Sequence, residues 1–101
     1  MKANIGGIDM HYEVSGSGPW ITLSHSLGAN LGMWDAQLEV LNQHFTVLRY
    51  DTRGHGQTQI TEGPYTLEQL ADDAHGLLRH LGVTRTHWIG LSLGGMIGQV
   101  F

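Results

Sequence analysis

Short apolar stretches separated by polar, glycine-containing loops run along the whole chain. Between Ile8 and Val14 apolar and polar residues alternate with a period of two, which predicts a half-buried strand. Gly6 and Gly7 precede it and are typical of a tight turn, so residues 1–5 should pair with this strand as a hairpin. Compact, mostly apolar runs predict three further strands, at residues 20–24, 45–50 and 86–91.

Two stretches between these runs carry apolar residues at helical spacing. The first predicts a helix over residues 33–42, with one apolar face formed by Trp34, Leu38 and Leu41. The second helix begins after Thr66, which forms a capping box with Gln69, and it ends at Gly82. The apolar face of this second helix is predicted to contain Leu67, Leu70, Ala71, Ala74, Leu77, Leu78 and Leu81.

This order of elements indicates an α/β fold. An antiparallel β-hairpin followed by a strand–helix–strand–helix–strand order (βαβαβ) gives a mostly parallel sheet. Ligands bind to such sheets at the carboxyl ends of the strands. Three loops are expected to meet there, at residues 25–30, 51–58 and 90–94. No internal repeat or interdomain linker interrupts this order, so a single domain is expected.

The last of these loops, Gly90-Leu91-Ser92-Leu93-Gly94, has the pattern G-x-S-x-G, and residues 95–101 can begin a helix after it. A sharp turn from strand to helix strains the residue at the turn and leaves no room for side chains beside it, which accounts for both glycines. The Ser92 hydroxyl would then lie over the positive end of a helix, as suits a nucleophile. Because the chain holds 15 glycines, the pattern also arises by chance, and Ser92 is then only a small turn residue.

Composition and charge exclude several other functions. The 101 residues are 41% apolar and 14% charged with a net charge of −4, which indicates a globular core and no basic surface for nucleic acid or anionic lipid. The chain has no cysteine, which excludes disulfides, thiolate catalysis and zinc–cysteine sites. The seven histidines lack metal-ligand spacing, so no metal site is expected. The chain has neither a P-loop nor a G-x-G-x-x-G motif, and no cofactor is expected. No apolar run suits a membrane span or a signal peptide, so a cytoplasmic location is the default expectation.

Three motifs together resemble those of the α/β-hydrolase family. His25-Ser26-Leu27-Gly28 resembles its H-G loop, residues 51–58 resemble D-x-R-G-x-G-x-S, and residues 90–94 match G-x-S-x-G. Ser26 stands in place of the usual glycine and Thr58 in place of the usual serine, and neither change removes a catalytic group. The resemblance covers essentially the whole chain and implies the N-terminal part of an α/β-hydrolase fold. Within the family the chain most resembles 3-oxoadipate enol-lactone hydrolases and related carboxylesterases.

The resemblance implies a serine hydrolase that acts on a small carboxylic ester or lactone, with 3-oxoadipate enol-lactone as the sharpest prediction. Ser92 is then the nucleophile that forms an acyl-enzyme, and the backbone N–H groups of Leu27 and Leu93 form the oxyanion hole. Supporting roles are expected for His25, Asp51, Arg53, Gly90 and Gly94. Other interpretations are a cofactor-free haloperoxidase, a C–C bond hydrolase, or a truncated, non-catalytic module that binds a partner or ligand.

No histidine of the chain suits the role of catalytic base. His25 is expected to shape the oxyanion loop, and His87 lies five residues before Ser92 on the same strand, about 16 Å away. Asp51 is expected to accept hydrogen bonds from backbone amides in its turn and to pair with Arg53. Four further histidines are expected to be solvated: His11, His44, His75 and His80.

The family places its triad acid and histidine after the nucleophile, but the nine residues that follow Ser92 include no Asp, Glu or His. We therefore expect residues 1–101 to form the N-terminal part of a single hydrolase domain that is inactive alone. The remainder of the domain, as more of the same polypeptide or as a second chain, is then the partner that supplies both groups.

Overall fold

The fold begins with two strands joined by a glycine turn. In the computed structural model, which describes residues 1–101, β1 spans Lys2–Ile5 and β2 spans Ile8–Gly16. The strands are antiparallel with Ile5 opposite Ile8, so Gly6 and Gly7 alone form the turn. Both glycines have a positive φ, 58° and 93°, as the favoured two-residue hairpin turn requires. The predicted hairpin is confirmed.

Three parallel strands form the centre and one edge of the sheet: β3 (Trp20–Ser24), β4 (Thr46–Tyr50) and β5 (His87–Gly90). The strand order is β1-β2-β4-β3-β5. Strand β3 is parallel to both of its neighbours, β4 and β5, whereas β2 is antiparallel to β4. The predicted α/β class, with an antiparallel opening followed by parallel strands, is confirmed. Because these three strands run in the same direction, the carboxyl ends of β3, β4 and β5 lie side by side at the same end of the sheet.

The first helix is shorter than the sequence predicts. Residues Leu31–Trp34 form a 3₁₀ turn, and regular α-helix begins only at Asp35. The Asn30 side chain accepts a hydrogen bond from the Gly32 amide, which starts the turn two residues early and in a tighter form. No helix of the structure combines the length and the apolar character needed to cross a membrane. The three α-helices are α1 (Asp35–Leu41), α2 (Leu67–His80) and α3 (Leu93–Val100).

Both ends of α2 have the signals that the sequence predicts. The Thr66 hydroxyl oxygen accepts a hydrogen bond from the Gln69 amide at 3.1 Å, and Gly82 lies just beyond the last turn with a φ of 74°. The second half of the predicted capping box is missing, because the side-chain oxygen of Gln69 is buried without a hydrogen-bond partner. Thr66 therefore caps the helix alone.

Helices cover both faces of the sheet. The face toward α1 forms one apolar cluster, which contains Ile21, Leu23 and Val47 with Trp34, Leu38 and Leu41. The opposite face packs against α2 in a larger cluster that includes Met10, Leu48, Tyr50, Ala74, Leu77 and Leu78. Helix α3 lies beside α2, where Ile97 contacts Leu70 and Ala71. The predicted apolar face of α1 thus meets the sheet, and that of α2 meets both the sheet and α3.

Strand β5 is an edge strand, although its apolar sequence predicts a buried one. It pairs with β3 on one side only. Ile89 is 42% exposed, and Leu91, just past the strand, is 53% exposed. Trp88 is the exception, because its ring packs against the α2 side of the sheet. The strand is correctly located by its apolar residues, but its burial depends on what lies beside it.

Candidate active site

Ser92 occupies a strained bend between β5 and α3. Its φ of 55° and ψ of −112° make it the only residue other than glycine with a positive φ. A residue held in such a sparsely populated conformation costs about 1–3 kcal/mol and persists only where its surroundings fix it. The side chain is exposed at the carboxyl end of the sheet. This strain and exposure make Ser92 the candidate nucleophile.

The bend depends on the two glycines that flank it. A Cβ at Gly94 would overlap the carbonyl oxygen of Ser24, and a Cβ at Gly90 would overlap the backbone of Gly94. The Trp88 indole N–H donates to the Gly94 carbonyl at 3.1 Å, and the Leu91 amide donates to the Ser24 carbonyl at 3.2 Å. The end of β3, the bend and the first turn of α3 are therefore in direct contact.

The backbone amides of Leu27 and Leu93 are among those around this bend that donate to no acceptor within the chain. Leu93 is the first residue of α3, where an N–H group has no intrahelical partner. Leu27 lies in the loop after β3, and its side chain is 74% exposed. Unpaired amides are what an oxyanion requires, since a donor that is already bonded cannot stabilise it. Both amides predicted for the oxyanion hole are free to donate.

His25 joins the loop after β3 to the loop after β4. The ring is fully buried, with Nδ1 2.8 Å from the Ser26 carbonyl oxygen and Nε2 2.9 Å from the Thr52 amide nitrogen. A backbone N–H can only donate, so Nε2 is the acceptor and carries no proton, and Nδ1–H donates to the Ser26 carbonyl. Burial lowers the pKa of His25 below its ordinary value, which favours this neutral form.

Asp51 is a buried acceptor for three segments of the chain. Its carboxylate accepts from the Leu31 amide at 2.7 Å, from the Gln57 amide at 2.9 Å and from His11 Nδ1 at 2.9 Å. Burial raises the pKa of Asp51, but these hydrogen bonds to the charged form outweigh it, and the net pKa is lowered. The prediction that backbone amides bind this carboxylate is confirmed by the geometry.

The predicted pairing of Arg53 with Asp51 is wrong. The Arg53 guanidinium instead forms two parallel hydrogen bonds with Asp73 of α2, at 2.9 Å from Nε and 2.8 Å from Nη2. Asp73 raises the pKa of Arg53, and both side chains are mostly buried, at 13% and 8% exposed. The sequence did hold a signal for this pair, because Asp73 lies on the apolar face of α2 between Leu70 and Leu77, where a carboxylate needs a partner.

The histidines divide into buried and exposed groups. His11, predicted to be solvated, has only 12% of its side chain exposed and bridges Asp51 and Glu13, so that prediction is wrong. Its strand packs beside the loop after β4, which the sequence alone does not indicate. His44, His75 and His80, which were also predicted to be solvated, are exposed. The strand residue His87 is exposed as well.

The ionisable groups and cavities elsewhere in the molecule lie apart from Ser92. No group of three His, Asp or Glu side chains is arranged to hold a metal ion. Open cavities of about 550 and 630 Å³ lie near the amino end of β5, where Arg85 and Thr86 line both, and the second also reaches Trp20 at the start of β3. These are at the end of the sheet opposite Ser92, so they are separate from the candidate nucleophile.

Comparison with known proteins gives consistent matches. The family model described as alpha/beta hydrolase fold matches residues 19–101. 3-Oxoadipate enol-lactonase 2 of Acinetobacter baylyi is 42% identical over 81 residues, which are 80% of this chain and 30% of that protein. "Putative carbamate hydrolase RutD" of Pantoea ananatis is 38% identical over 94 residues, 88% of this chain and 34% of that protein. The crystal structure of the enol-lactonase from Burkholderia xenovorans LB400 has a TM-score of 0.95 at 47% identity, over 97% of this chain and 39% of that one.

The chain spans about a third of the length of the curated relatives it matches. The part matched by the family model includes all three loops at the carboxyl edge of the sheet: residues 25–30, 51–58 and 90–94. The similarity therefore covers the strained bend, the unpaired amides and the loop that Asp51 holds.

Proposed function

This chain belongs to the alpha/beta hydrolase fold family, and on that premise we propose that it carries the nucleophile of a serine hydrolase that cleaves small carboxylic esters or lactones. The observation that carries the proposal is the bend at Ser92, where a φ of 55° holds an exposed hydroxyl between two glycines. The unpaired amides of Leu27 and Leu93 support it, because acyl transfer needs donors for a developing negative oxygen.

In the proposed reaction, Ser92 Oγ attacks the carbonyl carbon and the carbonyl oxygen becomes negatively charged. The amides of Leu27 and Leu93 donate to that oxygen, and the serine proton passes to a general base. The carbon–oxygen bond of the ester or lactone then breaks, the leaving oxygen takes the proton, and an acyl-enzyme remains. Water attacks the acyl-enzyme with the help of the same base, which releases the carboxylic acid and restores the serine hydroxyl.

The general base and its acid are proposed to come from protein outside residues 1–101, so that these residues form the N-terminal part of one hydrolase domain. His25 is unsuitable as the base, because both of its ring nitrogens are bonded to backbone groups. His87 begins β5 and lies five residues before Ser92 along an extended segment, about 16 Å away. Without a base, a serine hydroxyl is a poor nucleophile at neutral pH. The partner for this part is therefore the segment or chain that brings a histidine to Ser92.

For the substrate we propose a 3-oxoadipate enol-lactone. The support is the identity of 42% to the Acinetobacter protein, named a 3-oxoadipate enol-lactonase, and of 47% to the Burkholderia protein, named an enol-lactonase. A second candidate is a carbamate, favoured by the identity of 38% to the RutD protein. The ester bond of a lactone and the carbonyl–heteroatom bond of a carbamate are both cleaved by attack on a carbonyl carbon. The bend at Ser92 and the unpaired amides therefore suit either substrate.

The mechanism is tested by labelling with a fluorophosphonate, which reacts with activated serines. The assembled protein, including the segment or chain that supplies the base, should label at Ser92, and the Ser92→Ala variant should not label. Ser17→Ala is the matched control, since Ser17 is an exposed serine in a turn far from the bend, and it should label fully. Equal labelling of the Ser92→Ala variant would contradict the proposal. Comparing kcat/KM on an enol-lactone and on a carbamate then decides between the two substrates.

A further inference from the structure

The sulfur of Met33 contacts the loop that carries one of the unpaired amides. Met33 Sδ accepts from the Ser26 amide at 3.4 Å and from the Ser26 hydroxyl at 3.9 Å. Ser26 directly precedes Leu27 and stands where the motif usually has glycine, so the hydroxyl contact comes from a side chain that the usual motif lacks. A thioether is a weak acceptor built on a polarisable sulfur atom. Both donors of Ser26 thus depend on this one sulfur.

The turn that carries Met33 is fixed from its other side. Met33 belongs to the 3₁₀ turn that begins at Leu31, and the Leu31 amide donates to the buried Asp51 carboxylate at 2.7 Å. The Arg49 guanidinium donates to the Leu31 carbonyl at 3.3 Å. The backbone at Met33 is therefore held in place, and a larger group on the sulfur has to be accommodated by its side chain or by the loop at Ser26.

Met33 is the one methionine that combines solvent access with a contact to this loop. It is partly exposed, whereas Met10 is fully buried in the cluster beneath α2. Met1 and Met96 are exposed, but they lie at the start of the chain and on α3, and neither sulfur accepts a hydrogen bond from the loop. The chain has no cysteine, so thioethers are its only sulfur atoms open to oxidation.

We propose that Met33 is a site of oxidation by hydroperoxides, and that its sulfoxide lowers the activity of the assembled enzyme by displacing Ser26 and the adjoining Leu27 amide. A sulfur lone pair attacks one peroxide oxygen, the O–O bond breaks, and the sulfur keeps that oxygen. With hydrogen peroxide, the leaving hydroxide takes the proton of the transferred oxygen, so the sulfur is oxidised and the peroxide is reduced to water. The inference rests on the proposed serine hydrolase function.

A sulfoxide does not fit the contact that the thioether makes. Its oxygen either lies between the sulfur and the Ser26 amide, which forces the two apart, or the side chain turns away and leaves both Ser26 donors without an acceptor. Each outcome shifts the loop, because the backbone of the turn is fixed. The Leu27 N–H then no longer points at the oxyanion. The effect should fall mainly on kcat, since an oxyanion donor acts only once negative charge develops in the transition state.

The test treats the assembled protein with hydrogen peroxide and follows kcat, KM and the mass of the peptide that contains Met33. We expect that peptide to gain one oxygen atom. We expect kcat to fall about tenfold at unchanged KM, which is less than the roughly 10²–10³ that loss of a whole donor costs. Methionine sulfoxide reductase should reverse both changes, because this oxidation is reversible. Complete oxidation of Met33 with unchanged kcat would overturn the proposal.

Two leucine substitutions identify the sulfur responsible, because leucine is close to methionine in volume but cannot be oxidised in this way. Each activity is compared with that of the untreated sample of the same protein. Met33→Leu should keep its kcat after peroxide treatment. Met96→Leu is the matched control, since Met96 is exposed but lies on α3, and it should stay as sensitive as the wild type. Equal inactivation of Met33→Leu and wild type would place the sensitive group elsewhere.

A further measurement does not depend on activity. The nitrogen-15 NMR signal of the Ser26 amide should shift when Met33 is oxidised, because that amide loses or changes its acceptor. An unchanged signal would rule out the displacement. Untreated wild-type protein that neither labels at Ser92 nor hydrolyses an ester would refute the proposed function instead, whereas an active enzyme that is indifferent to oxidation of Met33 refutes only the role of this methionine.

Discussion

At the scale of single residues, the loops around Ser92 are held by buried ionisable side chains that link distant parts of the chain. His25 binds the loop after β4 through Thr52, and Arg53 binds α2 through Asp73. Each link satisfies a buried polar group that would otherwise cost about 1–3 kcal/mol or more. The loops next to the bend are thus held by buried polar contacts as well as by the apolar clusters.

Removing one partner of the buried ion pair should be costly. Asp73→Ala leaves the Arg53 guanidinium charged and mostly buried, so the free energy of unfolding should fall by about 3–5 kcal/mol. Urea unfolding followed by circular dichroism measures the loss. Asp72→Ala is the matched control, because Asp72 is an exposed carboxylate on the same helix and should change stability by less than about 0.5 kcal/mol. Similar losses in both variants would mean that the pair contributes nothing.

Stability should also depend on pH through His25. Burial lowers the pKa of His25 in the folded state, so as the pH falls below 6.5 the unfolded chain takes up a proton before the folded one does. The free energy of unfolding should therefore decrease from about pH 7 toward pH 5. His25→Asn should show a smaller decrease over the same range in urea unfolding. An identical pH dependence in the two proteins would exclude His25 as a cause.

At the scale of secondary structure elements, local patterns predicted most of the fold correctly. The alternation from Ile8 to Val14, the Gly6-Gly7 turn and the helical spacing after Thr66 are properties of neighbouring residues, and each element formed as predicted. The 3₁₀ turn at Leu31–Trp34 was missed, because it depends on the Asn30 side chain turning back on its own backbone. Local hydrogen bonds of this kind compete with helix and are hard to read from spacing alone.

Helix α2 is capped by Thr66 alone, so the Thr66 and Gln69 side chains should contribute unequally to stability. Thr66→Ala should lower the free energy of unfolding by about 1 kcal/mol, because the Gln69 amide loses its acceptor. Gln69→Ala should cost clearly less, since its side-chain oxygen has no partner and the reciprocal bond is absent. Thermal or urea unfolding compares the two variants. Equal losses would show that the full capping box forms in solution.

At the scale of the whole molecule, what the sequence could not supply is contact between distant segments. The partners of Arg53 and His11 lie 20 and 40 residues away. The position of Asp73 on the apolar face of α2 indicates that this carboxylate needs a partner, but no local pattern identifies Arg53 as that partner. The exposure of β5 has the same origin, because an apolar strand is buried only if another element covers its far side. The three loops of the site were nevertheless brought together correctly, since the carboxyl ends of parallel strands share one edge.

The open edge of β5 should make residues 1–101 self-associate when they are produced alone. An unpaired edge strand with exposed apolar side chains can pair with another copy. Ile89→Lys should reduce this association, because a charge on an edge strand opposes pairing. Sedimentation or light scattering measures the change. Ile60→Lys is the matched control, since Ile60 is 77% exposed but lies in a loop, and an equal effect there would point to general charge rather than the edge.

The contact between Gly94 and the Ser24 carbonyl sets the geometry of both sides of the site at once. His25 starts one side directly after Ser24, and Ser92 stands on the other side, two residues before Gly94. Only a hydrogen atom separates the two backbones at this point. The distance between the Ser92 hydroxyl and the loop after β3 is therefore set by a residue without a side chain at position 94, and any larger residue there would push the two segments apart.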